Sequence, residues 1–432
     1  MLQPLLSTDY HAALDFLFSR TTGKTKVGLE RTRALLAALG DPHLRVPAFH
    51  VAGTNGKGSV CATLEALLRR RGLRVGKYTS PHLVDFRERI VVNGRPMDEA
   101  GVVAWVERWT PECERLGATF FEATTAMAFD HFAAAGADVA VIETGLGGRL
   151  DSTNVIERPL AAAVTSIGID HTEYLGDTKE AIAAEKAGIF KAGCPAVVAD
   201  EDPEIRALLA QLASERGATP VRVVAREREI AEVAVGAWGT RFTLHRGGEQ
   251  VALVTPLAGV HQATNAALAV AALDAAGAPY APSNAELRAG LGDVFLAGRF
   301  QRVGRYVFDV AHNPDGAGVL ARTLSGLAPD RPVVALLTVL ADKDWRGMMR
   351  ELSAVADRFV LTQAPTAPAS RAWHAEEALA FARERGWDAV LEPDFDGALG
   401  RAAREGATVL VTGSFHTVGD AMARLQLSPL PG

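Results

Sequence analysis

The chain has 432 residues, enough for two domains with separate cores, and its 48% hydrophobic and 22% charged composition is that of an ordinary globular protein. A net charge of −6 with no basic block points away from nucleic-acid binding, and the three cysteines, Cys61, Cys113 and Cys194, fall in no paired or metal-like spacing. With no disulfide framework, no signal-peptide pattern at the N-terminus and no run near the ~18 apolar residues of a membrane span, a soluble cytoplasmic protein without a membrane partner is expected.

Strand and helix signals alternate along the chain. "VPAFHVAG" (46–53) is a short apolar run entering a glycine-rich turn. "SVCATLEALLRRRG" follows with Val60, Leu64, Leu67 and Leu68 at helical spacing, arginines in the last turn and Gly72 as a stop. "RVGKYTS" (74–80), "DVAVIETG" (138–145), "LAAAVTSIG" (160–168) and "CPAVVAD" (194–200) read as buried strands, with helical stretches between most of them. The alternation predicts an α/β fold with a doubly wound, mostly parallel sheet. Alternating β-branched residues between about 220 and 255 suggest antiparallel strands appended to that sheet.

A second block begins after the glycine-rich stretch "ELRAGLGDVFLAGRF" (286–300). "YVFDVAHN" (306–313), "PVVALLTVL" (332–340), "RFVLTQA" (358–364) and "ATVLVTGS" (407–414) predict a smaller C-terminal α/β domain. The boundary is placed near 297, giving domains 1–296 and 297–432.

The chemistry-bearing residues cluster at strand ends. "GTNGKGS" (53–59) joins a strand to an amphipathic helix, the setting of a phosphate-binding loop. Backbone N–H groups from Thr54 to Ser59 would face anionic oxygens, with Lys57 as a point charge. The alternative is a plain glycine-rich turn with a solvated lysine, which rarely carries both the flanking strand and the helix. The hydroxyl that follows the lysine in the common P-loop pattern is absent, because Gly58 stands there and the serine comes one position later. A metal would then need other ligands. Glu143 ends "VAVIE" just before "TGLGGRLD", where a carboxylate can hold Mg²⁺ beside a phosphate loop. "TSPHL" and "SIGIDHTEYLG" bring His82 and His171 to strand ends, and Asp170 precedes the latter. Strand-end histidines are more often structural, but the company of Asp170 and Glu143 raises His171.

Lys186 falls on the apolar face of its helix, between Ile182 and Ile189. Spacing alone leaves two readings open: a packed stem with a solvated head, or a desolvated lysine of altered reactivity or made anionic by modification. In the second block "GRFQ" and "DVAHNP" flank a strand, so Arg299 could reach a phosphate, and Asp309 and His312 could hold a nucleotide sugar or orient a phosphoryl group. Asn265 opens a helix, where capping would be a sufficient role. Ser414 and His416 sit in the strand-to-turn segment "TGSFHTVGD".

These segments, together with "ERIVVNG", "EKAGIFK", "HQATNAA" and "DKD" (342–344), resemble in order those of the folylpolyglutamate and dihydrofolate synthases of the Mur ligase superfamily. The resemblance runs from about residue 25 to 420. It implies an N-terminal P-loop ATPase domain, a smaller C-terminal domain, and substrates meeting in a cleft between them. It implies ATP-dependent amide formation: a carboxylate of the pterin substrate attacks the γ-phosphate, and the amine of L-glutamate displaces phosphate from the acyl phosphate. It assigns Mg²⁺ to Ser80, Glu143 and His171, and to Lys186 a carbamylated lysine whose carboxylate supports a second metal ion. ATP contacts fall to Gly53, Thr54, Asn55, Gly56, Lys57, Gly58, Ser59, Asn265, Arg299 and Asp309. The pterin side falls to Thr25, Lys26, Val27, Phe121, Glu122, Ala123, Thr124, Leu150, Asp151 and Ser152. The glutamate side falls to His312 and Ser414, and the catalytic set to Lys57, Lys186 and His312, the last as a candidate base.

Two positions depart from the family pattern, Thr144 where valine is usual and Ser152 where alanine is common, and neither implies loss of function. The expected partners are small molecules only (dihydropteroate or reduced folate, L-glutamate and ATP), with a monomer as the default. Both synthase activities are expected, with folylpolyglutamate synthesis alone as the alternative. Mur enzymes of cell-wall synthesis usually carry a threonine where Gly58 stands here, and the full set of motifs argues against a non-catalytic nucleotide-binding regulator.

Overall fold

The structure is a computed structural model that describes residues 8–21 and 28–430. By packing, the chain forms two units, one of 1–167, 171–229 and 264–291, the other of 168–170, 230–263 and 292–432. These limits differ from a single cut after residue 296, because 230–263 packs with the second unit.

In the first unit the strands lie in the order Arg95–Pro96, Ile90–Val92, Val75–Tyr78, Val139–Glu143, Ala48–Ala52, Ala161–Val164, Ala196–Ala199, Val221–Val224. The last six are parallel and the first two form an antiparallel edge. All five residues of Ala48–Ala52 and of Val139–Glu143 are buried, as expected of strands covered by helices on both faces. The chain leaves Ala48–Ala52 toward one edge, returns beside it, then crosses to its other side. That strand is therefore the switch point, and its carboxyl end opens the crevice where ligands bind in such sheets.

On one face Tyr78, Ala140 and Ile142 pack against Tyr10, Leu35, Trp105 and Phe129 from the helices Thr8–Ser19, Glu30–Ala38, Glu99–Leu116 and Phe120–Ala134. Ala52, Ala162, Val164 and Val198 pack against Ile182, Ile205 and Leu209 of the helices Lys179–Lys186 and Pro203–Glu215.

In the second unit the strands Gln301–Val303, Tyr306–Phe308, Thr408–Thr412, Val333–Leu337, Arg358–Leu361 and Ala389–Leu391 form one sheet, parallel apart from its first pair. The strands predicted between 220 and 255 divide. Val221–Val224 joins the first sheet as its parallel edge, whereas Ile230–Gly236, Gly239–Arg246 and Glu249–Thr255 form an antiparallel sheet of their own. The expectation that they extend the first sheet is therefore corrected. Their hairpins pair locally, and the Thr240 hydroxyl ties them to the carbonyls of Leu257 and Gly259.

Gly76 lies inside the strand Val75–Tyr78, and a Cβ built there would lie 2.6 Å from the buried Phe132 ring. Gly76→Ala forces two packed elements apart and is expected to cost about 1–3 kcal/mol. A lower thermal midpoint with normal expression is the expected measurement, and an unchanged midpoint would refute the packing argument.

Candidate functional site

The loop after Ala48–Ala52 is shaped by what cannot fit beside it. Gly53 has φ 151°, and a Cβ there would stand 1.7 Å from Thr165 Oγ1. Gly56 has φ 91°, and its Cβ would meet Asn265 Oδ1 at 2.6 Å. The N–H of Thr54 donates to the Ser166 carbonyl at 2.8 Å, and the Thr165 hydroxyl donates to the Asn55 carbonyl at 2.7 Å, pinning the loop to the end of the neighbouring strand Ala161–Val164. The helix Lys57–Arg70 then starts with no side chain capping its first turn, which leaves N–H donors for an anion. Ser59 Oγ is buried with no hydrogen-bond partner among the described residues. A nucleotide phosphate suits this cradle. Asn265 stands in the second turn of the helix Val260–Ala276 and faces Gly56, so it is not the cap suggested by sequence.

Lys57 Nζ donates to the carbonyls of Gly53 and Thr54 at 3.1 and 3.2 Å and stands 4.0 Å from Glu143 Oε1. The N–H of Ser80 donates to Glu143 Oε2 at 3.3 Å. Glu143, 4% exposed, thus joins the ends of two further strands to the loop. Lys186, 5% exposed, donates from Nζ to the Gly53 carbonyl at 2.8 Å. Its head is inside, so the reading of a solvated tip is set aside. Carboxylate and hydroxyl oxygens at Glu143 and Ser80 are the hard donors that Mg²⁺ prefers. His171 follows the strand Ala161–Val164 at φ 53° with an exposed ring, a borderline donor also compatible with Mn²⁺. The residues fit a divalent cation beside a phosphate loop.

The segments predicted to face a pterin lie on the other flank of Glu143. Phe121 covers Gly145, where a Cβ would come within 2.3 Å of its ring. Tyr78 OH, Thr124 Oγ1, Thr125 Oγ1 and Ser152 Oγ form a buried hydroxyl chain with spacings of 3.0 to 3.4 Å. Ala123 is buried and Leu150 is half-buried. Two of the predicted residues hold the fold itself. Glu122 closes a capping box with Thr119 and pairs with Arg31 at 2.9 Å. Asp151 accepts from the N–H groups of Gly145, Leu146 and Thr153 and from the Thr153 hydroxyl, which occupies its lone pairs. Burial nonetheless pushes the Asp151 carboxyl upward, which those donors oppose. Thr25, Lys26 and Val27 lie outside the described residues.

In the second unit Asp309 accepts from the N–H groups of Phe300 and Ala311 at 2.8 and 2.9 Å, and burial raises its carboxyl while nearby Arg299 opposes that rise. The Arg299 guanidinium lies 5.1 Å from the Phe415 ring centroid. His312 Nδ1 donates to the Val310 carbonyl at 2.9 Å, and its Nε2 stands 3.5 Å from Asp170 Oδ2. Asp170 also binds Lys343, a residue of "DKD" that sequence reasoning quoted without a role. Ser414 is 2% exposed and caps the helix Phe415–Arg424 by accepting from the Thr417 N–H at 3.0 Å.

Sequence reasoning also missed Arg89. It is 7% exposed, burial depresses its guanidinium, and its Nε donates to His82 Nδ1 at 2.8 Å. A buried arginine can be suspected from "ERIVV", where it enters a strand, but its partner seven residues earlier cannot.

Residues 51–273 match the Mur ligase middle domain, and residues 298–415 match the Mur ligase glutamate ligase domain. The chain is 38% identical to the dihydrofolate synthase/folylpolyglutamate synthase of Escherichia coli (strain K12), over 95% of this chain and 93% of that one. It superposes with a TM-score of 0.89 on the Mycobacterium tuberculosis folylpolyglutamate synthase complexed with ADP, at 33% identity, covering 98% of this chain and 99% of the other. A bifunctional folylpolyglutamate synthase/dihydrofolate synthase with Mn, AMPPNP and L-glutamate bound matches with a TM-score of 0.82 and 34% identity, over 99% and 100% of the two chains.

Gly56→Ala puts a side chain at a positive φ and into the Asn265 amide. Calorimetric titration with ADP is expected to show at least about tenfold weaker binding, the effect of a 1.4 kcal/mol loss. Unchanged affinity in a folded variant would contradict the cradle.

Proposed function

Because the chain belongs to the Mur ligase family, in its dihydrofolate synthase/folylpolyglutamate synthase branch, we propose that it joins L-glutamate to a carboxylate of a pteroate or folate at the expense of ATP. The observation that carries this reading is the glycine loop with Lys57 set against Glu143 at adjacent strand ends. The substrate carboxylate oxygen bonds to the γ-phosphorus as the bridging P–O bond breaks, which gives an acyl phosphate and ADP. The glutamate amine then bonds to the acyl carbon, phosphate leaves, and one proton passes to a base. We favour both synthase activities in this one chain.

The steps need positioning and charge neutralisation more than a reactive side chain. Lys57 is held over the loop by two carbonyls, so its ammonium is oriented before a phosphate arrives. Arg299, with its guanidinium near the Phe415 ring, is the further cation proposed for the phosphates. Mg²⁺ held by Ser80, Glu143 and His171 would neutralise the phosphate oxygens. His312 suits the base: donation from Nδ1 to Val310 leaves Nε2 as the lone-pair nitrogen of the neutral ring, and Asp170 stands where the imidazolium would need a counter-charge.

Phosphate release from ATP by the purified chain is expected to require both L-glutamate and a dihydropteroate or tetrahydrofolate acceptor. His312→Gln is expected to slow it by roughly 10²- to 10³-fold. Release that ignores either co-substrate would sink the ligase reading, and an unchanged rate in folded His312→Gln would sink the base.

Lys186 is proposed to give up one proton from its ammonium and then to react with CO₂ to a carbamate, losing a second. The carbamate nitrogen keeps an N–H for the Gly53 carbonyl, so the observed bond survives the modification. Mass spectrometry under CO₂ is expected to show one added CO₂ lost in Lys186→Ala. A bare amine under saturating CO₂ with full activity would refute it.

A further inference from the structure

A buried histidine lies under this site with no part in the chemistry described so far. His50 is in the middle of Ala48–Ala52, 0% exposed, on the same strand face as Ala48 and Ala52. Its Nε2 is 2.8 Å from Thr153 Oγ1, and Nδ1 has no hydrogen-bond partner among the described residues. The direction of the contact follows from the next link. Thr153 Oγ1 has one proton, and it points at Asp151 Oδ1, 2.5 Å away. The hydroxyl therefore accepts from the ring, and His50 carries its hydrogen on Nε2. The other Asp151 oxygen, Oδ2, collects the N–H groups of Gly145 and Leu146 at 2.9 and 2.7 Å.

We propose that His50 is a positioning residue for the acceptor side of the site. Its Nε2–H fixes the Thr153 hydroxyl, the hydroxyl fixes the Asp151 carboxylate, and the carboxylate fixes the backbone of 145–152 just beyond Glu143. The inference rests on the reading that this segment, with Phe121 over Gly145, takes the pterin acceptor.

Three features separate this from an ordinary core histidine. An aliphatic side chain would fill the strand without burying an unpaired acceptor, which by itself costs roughly 1–3 kcal/mol. What histidine adds is a rigid donor on the switch-point strand, aimed at the Thr153 hydroxyl that holds the Asp151 carboxylate of the glycine turn. Burial, with Lys191 nearby, keeps the ring neutral down to about 3, so the donor does not change across the working pH range. Lys191 is itself held by the Asn154 Oδ1 at 2.8 Å and does not compete for the ring. A chain of donors that ends on a carboxylate also polarises in one direction, which stiffens each link.

The test uses the full chain with His50→Leu, which removes the donor, His50→Gln, whose amide nitrogen reaches the Nε2 position, and His50→Asn, whose amide is too short. Amide exchange read on a peptide spanning Gly145 and Leu146 reports the link without any substrate. Exchange there is expected to quicken at least about tenfold in the leucine and asparagine variants and to stay near wild type in the glutamine variant. With substrates, the KM for dihydropteroate is expected to rise about tenfold in the leucine and asparagine variants, with the KM for ATP unchanged and the glutamine variant within about twofold.

Thr153→Val should reproduce the leucine phenotype, and the double variant should be no worse than either single one. If His50→Leu does not fold, the glutamine–asparagine contrast decides. Unchanged exchange at 145–146, equal rises in both KM values, or a glutamine variant no better than asparagine would each overturn the proposal. If wild type shows no acceptor-dependent phosphate release, the functional reading fails, while exchange still decides the role of His50.

Discussion

The carbonyl oxygen of Gly53 accepts from two ammonium groups, Lys57 at 3.1 Å and Lys186 at 2.8 Å. Both nitrogens are thereby held within about 6 Å of each other, a separation at which like charges repel even in a polar setting. Glu143, 4.0 Å from Lys57, is the compensating charge described there. An arrangement with two cations crowded on one oxygen is stable where more negative charge arrives. A nucleotide polyphosphate supplies it from outside, and conversion of Lys186 into a carbamate would supply it from within. The same geometry thus favours both elements of the proposed chemistry.

That crowding depends on Gly53 carrying no side chain. Thr165 occupies the space a Cβ would need, and the same hydroxyl holds the Asn55 carbonyl. The loop, its two lysines and the neighbouring strand end are one packed object. Behind it, Glu143 accepts from the Ser80 N–H while the chain two residues later is fixed by Asp151, so the proposed metal side and the proposed acceptor side would share one short stretch of backbone.

Much of this was legible in the sequence because it is local. Valine- and alanine-rich runs of four or five residues identified Ala48–Ala52, Val139–Glu143, Ala161–Val164 and Ala196–Ala199 as strands, and the loop before Lys57 was readable from its glycines. Partners distant in the chain were not. Spacing put Lys186 on the apolar face of its helix, but its acceptor lies 133 residues earlier. The strands 230–255 show their alternation plainly, yet which sheet they join is a matter of tertiary packing that no local pattern encodes. Asp151 and Ser414 illustrate the opposite failure. Each bonds the backbone two or three residues on, a pattern that short polar residues before a turn or helix show routinely, so a capping role was readable before a substrate role was.

The missing hydroxyl after Lys57 is explained by the same geometry. In the common P-loop the residue after the lysine places its oxygen on the metal, so the loop binds phosphate and cation together. Here that residue is Gly58, buried in the first turn of its helix, and the serine one position later is turned inward at 1% exposure. The lysine itself stands 4.0 Å from Glu143. With the proposed metal ligands Ser80, Glu143 and His171 at or after the ends of other strands, the lysine side and the cation side of a triphosphate would be set by different elements.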